Sequence, residues 1–508
     1  MNLYAIVLAL ITLTLLGVSL GRLRSVKTKA DYLVAGRSLS AFVLVFTLLS
    51  SWIGSGSLLG GAENAYRNGF PALWQAAGGW FGLLLIIWIA PRARKFAQYT
   101  IPDLLEARYN QAARVLGVIA ILLTYTAITS YQFIGGGDIL HLIFPATVTP
   151  IGGRYIIAAF VILFTAIAGM SSVAYMDLFI GLMATTTLIV ALPVLLRLAG
   201  GWVAVRHGLP ASHFEVFGNL RPVQAMELFL PTCLLLLGNQ SMYQKFFSAR
   251  SEKDASRAVI GWIFGTVILE TVIVAIAVTG SAMFPTGEVS QSPREILAYV
   301  GLHAFGGSGP AVVPGATLSG TGLSPIQATG PLAFSAFLLQ LLGALMMGAI
   351  FAKVISTANN WLFSPATNLV NDVYVRYLAP DASNRRVLLV SRLTVVGLGI
   401  WSLYQGLHAE SVLQKALYAY TIYAAALTPV ILAAFFWKRA TAPAAVASIA
   451  AGTLVTVTWD GVRHGLPQVI AERDAILPAL CISLLCLVAV SWLTEPPSVG
   501  KLQAVGEV

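Results

Sequence analysis

Long apolar runs alternate with short polar stretches along this chain. Thirteen of the runs are long enough to cross a bilayer, against the ~20 residues that the hydrocarbon requires. They lie near 2–21, 41–66, 71–91, 115–144, 154–171, 175–198, 226–246, 258–284, 331–366, 388–407, 413–436, 441–459 and 476–493. Two are interrupted where a lipid-facing helix should be most regular. The first reads Ser50-Ser51-Trp52-Ile53-Gly54-Ser55-Gly56-Ser57 and the second Leu237-Gly238-Asn239-Gln240-Ser241. Unpaired backbone groups cost several kcal/mol each in hydrocarbon, so such breaks persist only where they line a cavity or bind something. Carriers build ion and solute sites at the membrane midplane in this way. The alternative is a small-residue face packed against a neighbouring helix.

Five spans separate the start of one broken helix from the start of the other, so the two enter from opposite sides. This predicts an inverted repeat with a site between its halves. The expected organisation is an extra N-terminal helix and loop over 1–40, a first half over 41–198 and an external loop over 199–225. A second half follows over 226–436, then two C-terminal helices and a tail over 437–508.

Composition agrees with a polytopic membrane protein. The chain has 508 residues, 57% hydrophobic and 10% charged, where soluble domains carry about a quarter charged. The net charge of +10 is dispersed between the spans, which argues against nucleic-acid binding. Basic residues favour one set of loops by about two to one, including Arg22, Arg24, Lys27, Lys29, Arg92, Arg94, Lys95, Arg108, Arg114, Lys245, Arg250 and Arg376. That bias puts these loops and the C-terminus in the cytoplasm, the N-terminus outside, and the long segment 285–330 outside as well. The first span is retained, having no basic n-region or cleavage site. Cys233, Cys481 and Cys486 have no metal-ligand spacing. Nothing resembles a Walker loop, an HExxH motif or a nucleophile elbow, so the expectation is no enzyme and no obligate protein partner, and residence in the cell membrane.

Polar groups inside the spans mark the candidate chemistry. Lys353, Ser356, Thr357, Asn360 and Ser364 form one continuous helical stripe, which must face protein or a water-filled cavity. Asp177 is a candidate ion ligand or gate residue. Glu270 is either a proton relay or a neutral acid bonded to a neighbouring helix. Glu63 and Asp138 lie nearer the outer ends and read as vestibule residues. Trp52, Trp74, Gln75, Tyr131 and Gln132 are candidate solute contacts near the breaks. Ser55, Gly56, Ser57, Thr232 and Thr421 complete that candidate set.

Several segments together resemble the sodium:solute symporter family. They are DYLVAGRSLS at 31–40, TIPDLLEARYN at 100–110, GMSSVAYMD at 169–177, NQSMYQKFFSAR at 239–250, ISTANNWLFSPATNLVNDVY at 355–374 and FFWKRATAPAAVASIAAG at 435–452. The resemblance implies an all-α LeuT-type 5+5 inverted repeat with flanking helices, and Na+ as the coupling ion. It implies a sodium site built from the carbonyls of Ser50, Ile53 and Lys353 and the hydroxyls of Ser356 and Thr357. It also implies a second candidate sodium site at Asp177, Asn359 and Asn360, where the family's hydroxyls are replaced by amides. Lys353 stands where the family usually has a small residue. Trp52-Ile53-Gly54-Ser55-Gly56 also resembles the family's choline-transporter branch. Asn239, however, stands where an indole of a quaternary-ammonium box is expected, so choline is not the expected solute. The resulting expectation is a sodium-driven importer of a small polar organic solute. The alternatives are a proton-coupled or uncoupled carrier in which Lys353 replaces sodium, and a transport-fold solute sensor.

Overall fold

The computed structural model describes residues 3–23, 31, 34–96, 100–167, 170–286, 288–306, 331–409 and 411–503. Its principal helices in chain order are α1 Leu3–Leu23, α2 Ala41–Trp52, α3 Gly56–Asn68, α4 Leu73–Phe96, α5 Ile101–Arg108, α6 Gln111–Ile143, α7 Pro150–Ile167 and α8 Met170–Leu198. They continue as α9 Pro222–Gly238, α10 Gln240–Ser248, α11 Glu252–Met283, α12 Pro331–Asn368, α13 Asn384–Leu407, α14 Val412–Ala426, α15 Thr428–Phe436, α16 Ala442–Val462 and α17 Ile476–Leu493. Among the described residues there is no strand, only an isolated bridge between Leu39 and Ala249. A bilayer leaves a chain little choice here, because only a helix or a closed barrel satisfies every backbone group internally.

Among the described residues ten helices are long and apolar enough to cross a membrane, or eleven when α2 and α3 count as one bent span. This is fewer than the thirteen spans the hydropathy suggests. α1 has only a short apolar stretch, Leu3–Val18, and α9 is cut off at Gly238. Of the loop 285–330, residues 307–330 lie outside the described residues, as do Arg24, Lys27 and Lys29.

Polar caps fix where several spans begin. Asn110 accepts from Ala113 N at the start of α6, and Ser251 from Asp254 N at the start of α11. Each satisfies a backbone donor that the first turn leaves free. The Val412–Phe436 span is 89% buried against 28% for Ile476–Leu493. The former is therefore central and the latter peripheral. Leu485, Trp492, Leu163 and Phe264 are among the large apolar side chains left on the outer surface, as a lipid solvent permits.

The two broken helices sit inside this bundle. α2 ends at Ile53 in extended backbone (φ −84°, ψ 98°), and α3 leaves at 56° to it. α9 ends at Asn239, also extended (φ −61°, ψ 110°), before α10 begins. Both breaks fall within the segments where the sequence places them. The Leu39–Ala249 bridge ties the entry to α2 to the exit of α10, with Leu39 N donating to Ser248 O at 3.1 Å.

Candidate functional site

The α2–α3 break exposes carbonyl oxygens that a continuous helix would use. Thr357 of α12 lies against them. Its Oγ1 stands 2.9 Å from Ser50 O, 3.3 Å from Ile53 O and 2.9 Å from Lys353 O. A Cβ on Gly54 would come within 2.5 Å of that hydroxyl, so glycine is what lets the two elements meet. The free carbonyl of Ser51 accepts from the Trp361 indole at 2.9 Å. Ser55 N, at the start of the second half, donates to Gln132 Oε1 at 2.8 Å. The second break is dressed by tyrosines: Tyr423 Oη accepts from Gln240 N, and Tyr125 Oη accepts from Ser241 N while donating to Asn239.

Beside the carbonyls lies fully buried Asp177. It accepts from Thr47 and Ser356 at 2.5 Å each and from Asn360 Nδ2 at 3.0 Å. Two buried lysines flank this group. Lys353 Nζ donates to Ser50 Oγ at 3.2 Å, and Lys245 Nζ donates to Asn360 Oδ1 at 2.8 Å. Lys245 shares Asn360 with the Asp177 carboxylate, and Lys353 shares the Ser50 hydroxyl with the Asp177 backbone carbonyl. The Lys353 carbonyl thus faces the break while its side chain runs toward the Asp177 side. Ser356 turns its hydroxyl to Asp177. Asn360 joins that group, whereas Asn359 faces α7, accepting from Thr165 at 2.8 Å.

A narrow cavity opens next to the break. Trp52, Ser57, Gln75 and Thr232 line it together with Gly61, Glu270 and Tyr420. Gly56 packs directly below Tyr420 Oη, and the rings of Trp52 and Tyr420 lie 6.4 Å apart at 24°. Two expected contacts lie elsewhere. Trp74 stacks on Phe217 and donates to Val216 O. Thr421 lines a separate recess with Glu227 and Asp460. Tyr420 and Thr421 are one residue apart, about 100° around a helix, so a one-residue error in register selects the wrong face.

Ionic groups cluster at both ends of the bundle. At one end Asp138, at the end of α6, pairs with Arg294 at 3.0 Å. Burial, and then the nearby Asp138 charge, hold the adjoining Glu295 carboxyl above its usual range. Glu63 pairs with Arg67 on α3. At the other end Arg114 bridges Asp103, Glu106 and Asp372. Thr47, Lys245, Tyr420 and Trp80 are the contacts that the sequence reading misses. Of these, Lys245 carries a legible signal, as a lysine inside the predicted span 226–246.

Known proteins bear on this geometry. A proline transporter of Bacillus subtilis is 25% identical over 495 residues, covering 92% of this chain and 93% of that protein. An osmoregulated proline transporter of the same organism is 22% identical, covering 94% and 92%. A sodium/proline symporter of Staphylococcus aureus is 23% identical, covering 92% and 88%. Among solved structures, a Na+-coupled sialic acid symporter in a substrate-bound outward-open state superposes with a TM-score of 0.73 at 16% identity, covering 98% and 99%. MhsT bound to L-phenylalanine gives 0.53 at 14%, covering 90% and 98%. These neighbours establish a LeuT-type inverted-repeat fold. The family model matches residues 32–452, and the chain belongs to the sodium:solute symporter family.

Proposed function

We propose that this sodium-coupled symporter imports a small polar organic solute by alternating access, with sodium held by the carbonyls of Ser50, Ile53 and Lys353 and the hydroxyls of Ser356 and Thr357. One observation carries the reading: three carbonyl oxygens converge on a single hydroxyl. A threonine has one proton to donate, so two of these acceptors face the hydroxyl without receiving it. Clustered carbonyl oxygens that stand in for a hydration shell suit a hard monovalent cation. Sodium there would join α2 to α12 and favour the state open on the Arg294 side, which the loop charges place outside. The solute would then bind in the adjoining cavity. We place the two halves of the repeat at 41–198 and 226–436, and the protein in the cell membrane with its N-terminus outside. The proline transporters among its relatives make small amino acids the first solutes to try. The lysines beside Asp177 and the turn of Asn359 toward α7 favour one sodium per cycle, with no second ion at Asp177, Asn359 and Asn360.

Purified protein in saturating sodium should melt higher than in an inert large cation. A ligand at 100 Kd adds about 2.7 kcal/mol. Thr357→Ala should erase the difference. Equal melting temperatures for the wild type, or solute uptake that ignores sodium, would refute the site.

A further inference from the structure

The solute cavity contains an acid that the ion site does not use. Among the described residues, Glu270 of α11, 5% exposed, is the one carboxyl lining the cavity, and no lysine, arginine or histidine lines it. Its Oε1 accepts from the Trp52 indole at 3.0 Å and from Ser57 Oγ at 3.4 Å, and its Oε2 accepts from the Trp80 indole at 2.8 Å. An indole N–H only donates. Each carboxyl oxygen therefore faces a group that cannot accept a proton from it, and the arrangement suits the ionised form. A carboxylate has about four lone-pair sites; three are occupied. Gln75, 8% exposed, lines the same cavity, and its Oε1 has no partner among the described residues.

We propose that Glu270 and Gln75 Oε1 bind the protonated amine of the transported solute, which makes a positively charged N–H donor the group that the cavity selects. The inference deepens the symporter reading and rests on it. Three neutral donors soften the Glu270 charge but do not cancel it, and a lone charge in a low-dielectric interior is costly unless paired. An ammonium provides the missing charge and has N–H groups for both free acceptors. A quaternary ammonium has the charge without the hydrogens. The indoles present their N–H edges to Glu270, so the acid, not a ring face, is the primary partner. A neutral sugar leaves the charge unpaired, and a carboxylate without an amine is repelled.

The test is a thermal-shift and equilibrium-binding screen of the full-length protein in sodium. The probes are the common amino acids, small primary and secondary amines, neutral polyols and sugars, and amine-free carboxylates. Each amine that binds is re-tested as its N-acetyl and its quaternary N-methyl derivative. The expected result is that the strongest binders carry a protonated amine and that either derivative loses at least tenfold in affinity. Glu270→Gln should lose at least tenfold for the same amine, Glu270→Asp should recover part of it, and Trp80→Phe should cost less than Glu270→Gln. A screen whose strongest binder lacks an amine, or in which no amine binds, overturns the proposal. So does an amine whose affinity survives acetylation or Glu270→Gln. If Glu270→Gln does not fold, the wild-type screen alone decides. Sodium-driven uptake of a solute that carries no amine, and of no amine, would refute this inference and leave the symporter reading intact. Sodium-independent binding and uptake of an amine would do the reverse.

Discussion

Lys353 carries two roles on one residue, and the backbone and side chain divide them. Its carbonyl faces the Thr357 hydroxyl, while its ammonium reaches Ser50 Oγ on the Asp177 side. The residue is 1% exposed, and the Ser50 hydroxyl that accepts from its ammonium donates in turn to the Asp177 backbone carbonyl. A sodium ion at the break would feel that charge. Two unit charges about 6 Å apart repel by roughly 3 kcal/mol at an effective dielectric of about 20, which is about a hundredfold in affinity. Lys353→Ala should therefore lower the sodium concentration for half-maximal thermal stabilisation by at least tenfold. Lys245 stays in place to face Asp177. An unchanged midpoint would show that the ammonium does not reach the ion, and loss of the sodium effect would show that it helps build the site. The stripe of Lys353, Ser356, Thr357 and Asn360 was legible because helical spacing shows which residues share a face. The direction of the Lys353 side chain was not, because one residue can present its carbonyl and its ammonium to different neighbours.

The breaks in α2–α3 and α9–α10 show how much of an element's behaviour is local. Glycines and hydroxyls at 50–57 state that a regular helix fails there, and the chain bends at Ile53–Ser55. What fills each break is non-local. Thr357 and Trp361 come from about 300 residues away, and Tyr125 and Tyr423 dress the second break. Sequence spacing carries no trace of such partners. The same limit hid Trp80 as a donor to Glu270 and placed Trp74 wrongly, since α4 shows both as apolar-face indoles. The tightness of the first crossing gives a prediction at this scale. A Cβ at Gly54 would lie 2.5–2.7 Å from three atoms of Thr357, closer than side-chain carbons approach one another. Gly54→Ala should push α2 off α12 and remove sodium-induced stabilisation. Gly397→Ala, where nothing lies within 4 Å, should preserve it. A Gly54→Ala protein with full sodium stabilisation would mean that the ion binds elsewhere.

Across the whole molecule, hydropathy foretold a polytopic bundle, because the lipid requirement acts on every span alike. Its count of thirteen exceeds the ten or eleven apolar spans among the described residues where a helix is short or broken. The long-range ion pairs at the two ends, Arg294 with Asp138 and Arg114 with Asp372, were out of its reach, since their partners lie far apart in the sequence. At one end Arg294, on a segment packed over α3, pairs with the nearly fully buried Asp138 of α6. At the other, Arg114 gathers Asp103, Glu106 and Asp372, tying α5 and α6 to the region that follows α12. Removing one partner of such a pair leaves a buried charge uncompensated, at a cost of about 3–5 kcal/mol. Opening an end hydrates the stranded acid, so breaking a latch should favour the state open on that side. A ligand's apparent affinity follows the population of the state that binds it. If sodium prefers the state open on the Arg294 side, Arg294→Ala should tighten apparent sodium binding by threefold or more. Arg114→Ala should weaken it. Arg376, 54% exposed and paired with Glu106 at 3.0 Å, serves as the comparison, because exposed pairs contribute about 0–1 kcal/mol and Arg376→Ala should shift little. Sodium titrations of the three variants, followed by melting temperature, give the answer. Arg294→Ala and Arg114→Ala moving sodium affinity in the same direction would rule out opposed latches around one ion site.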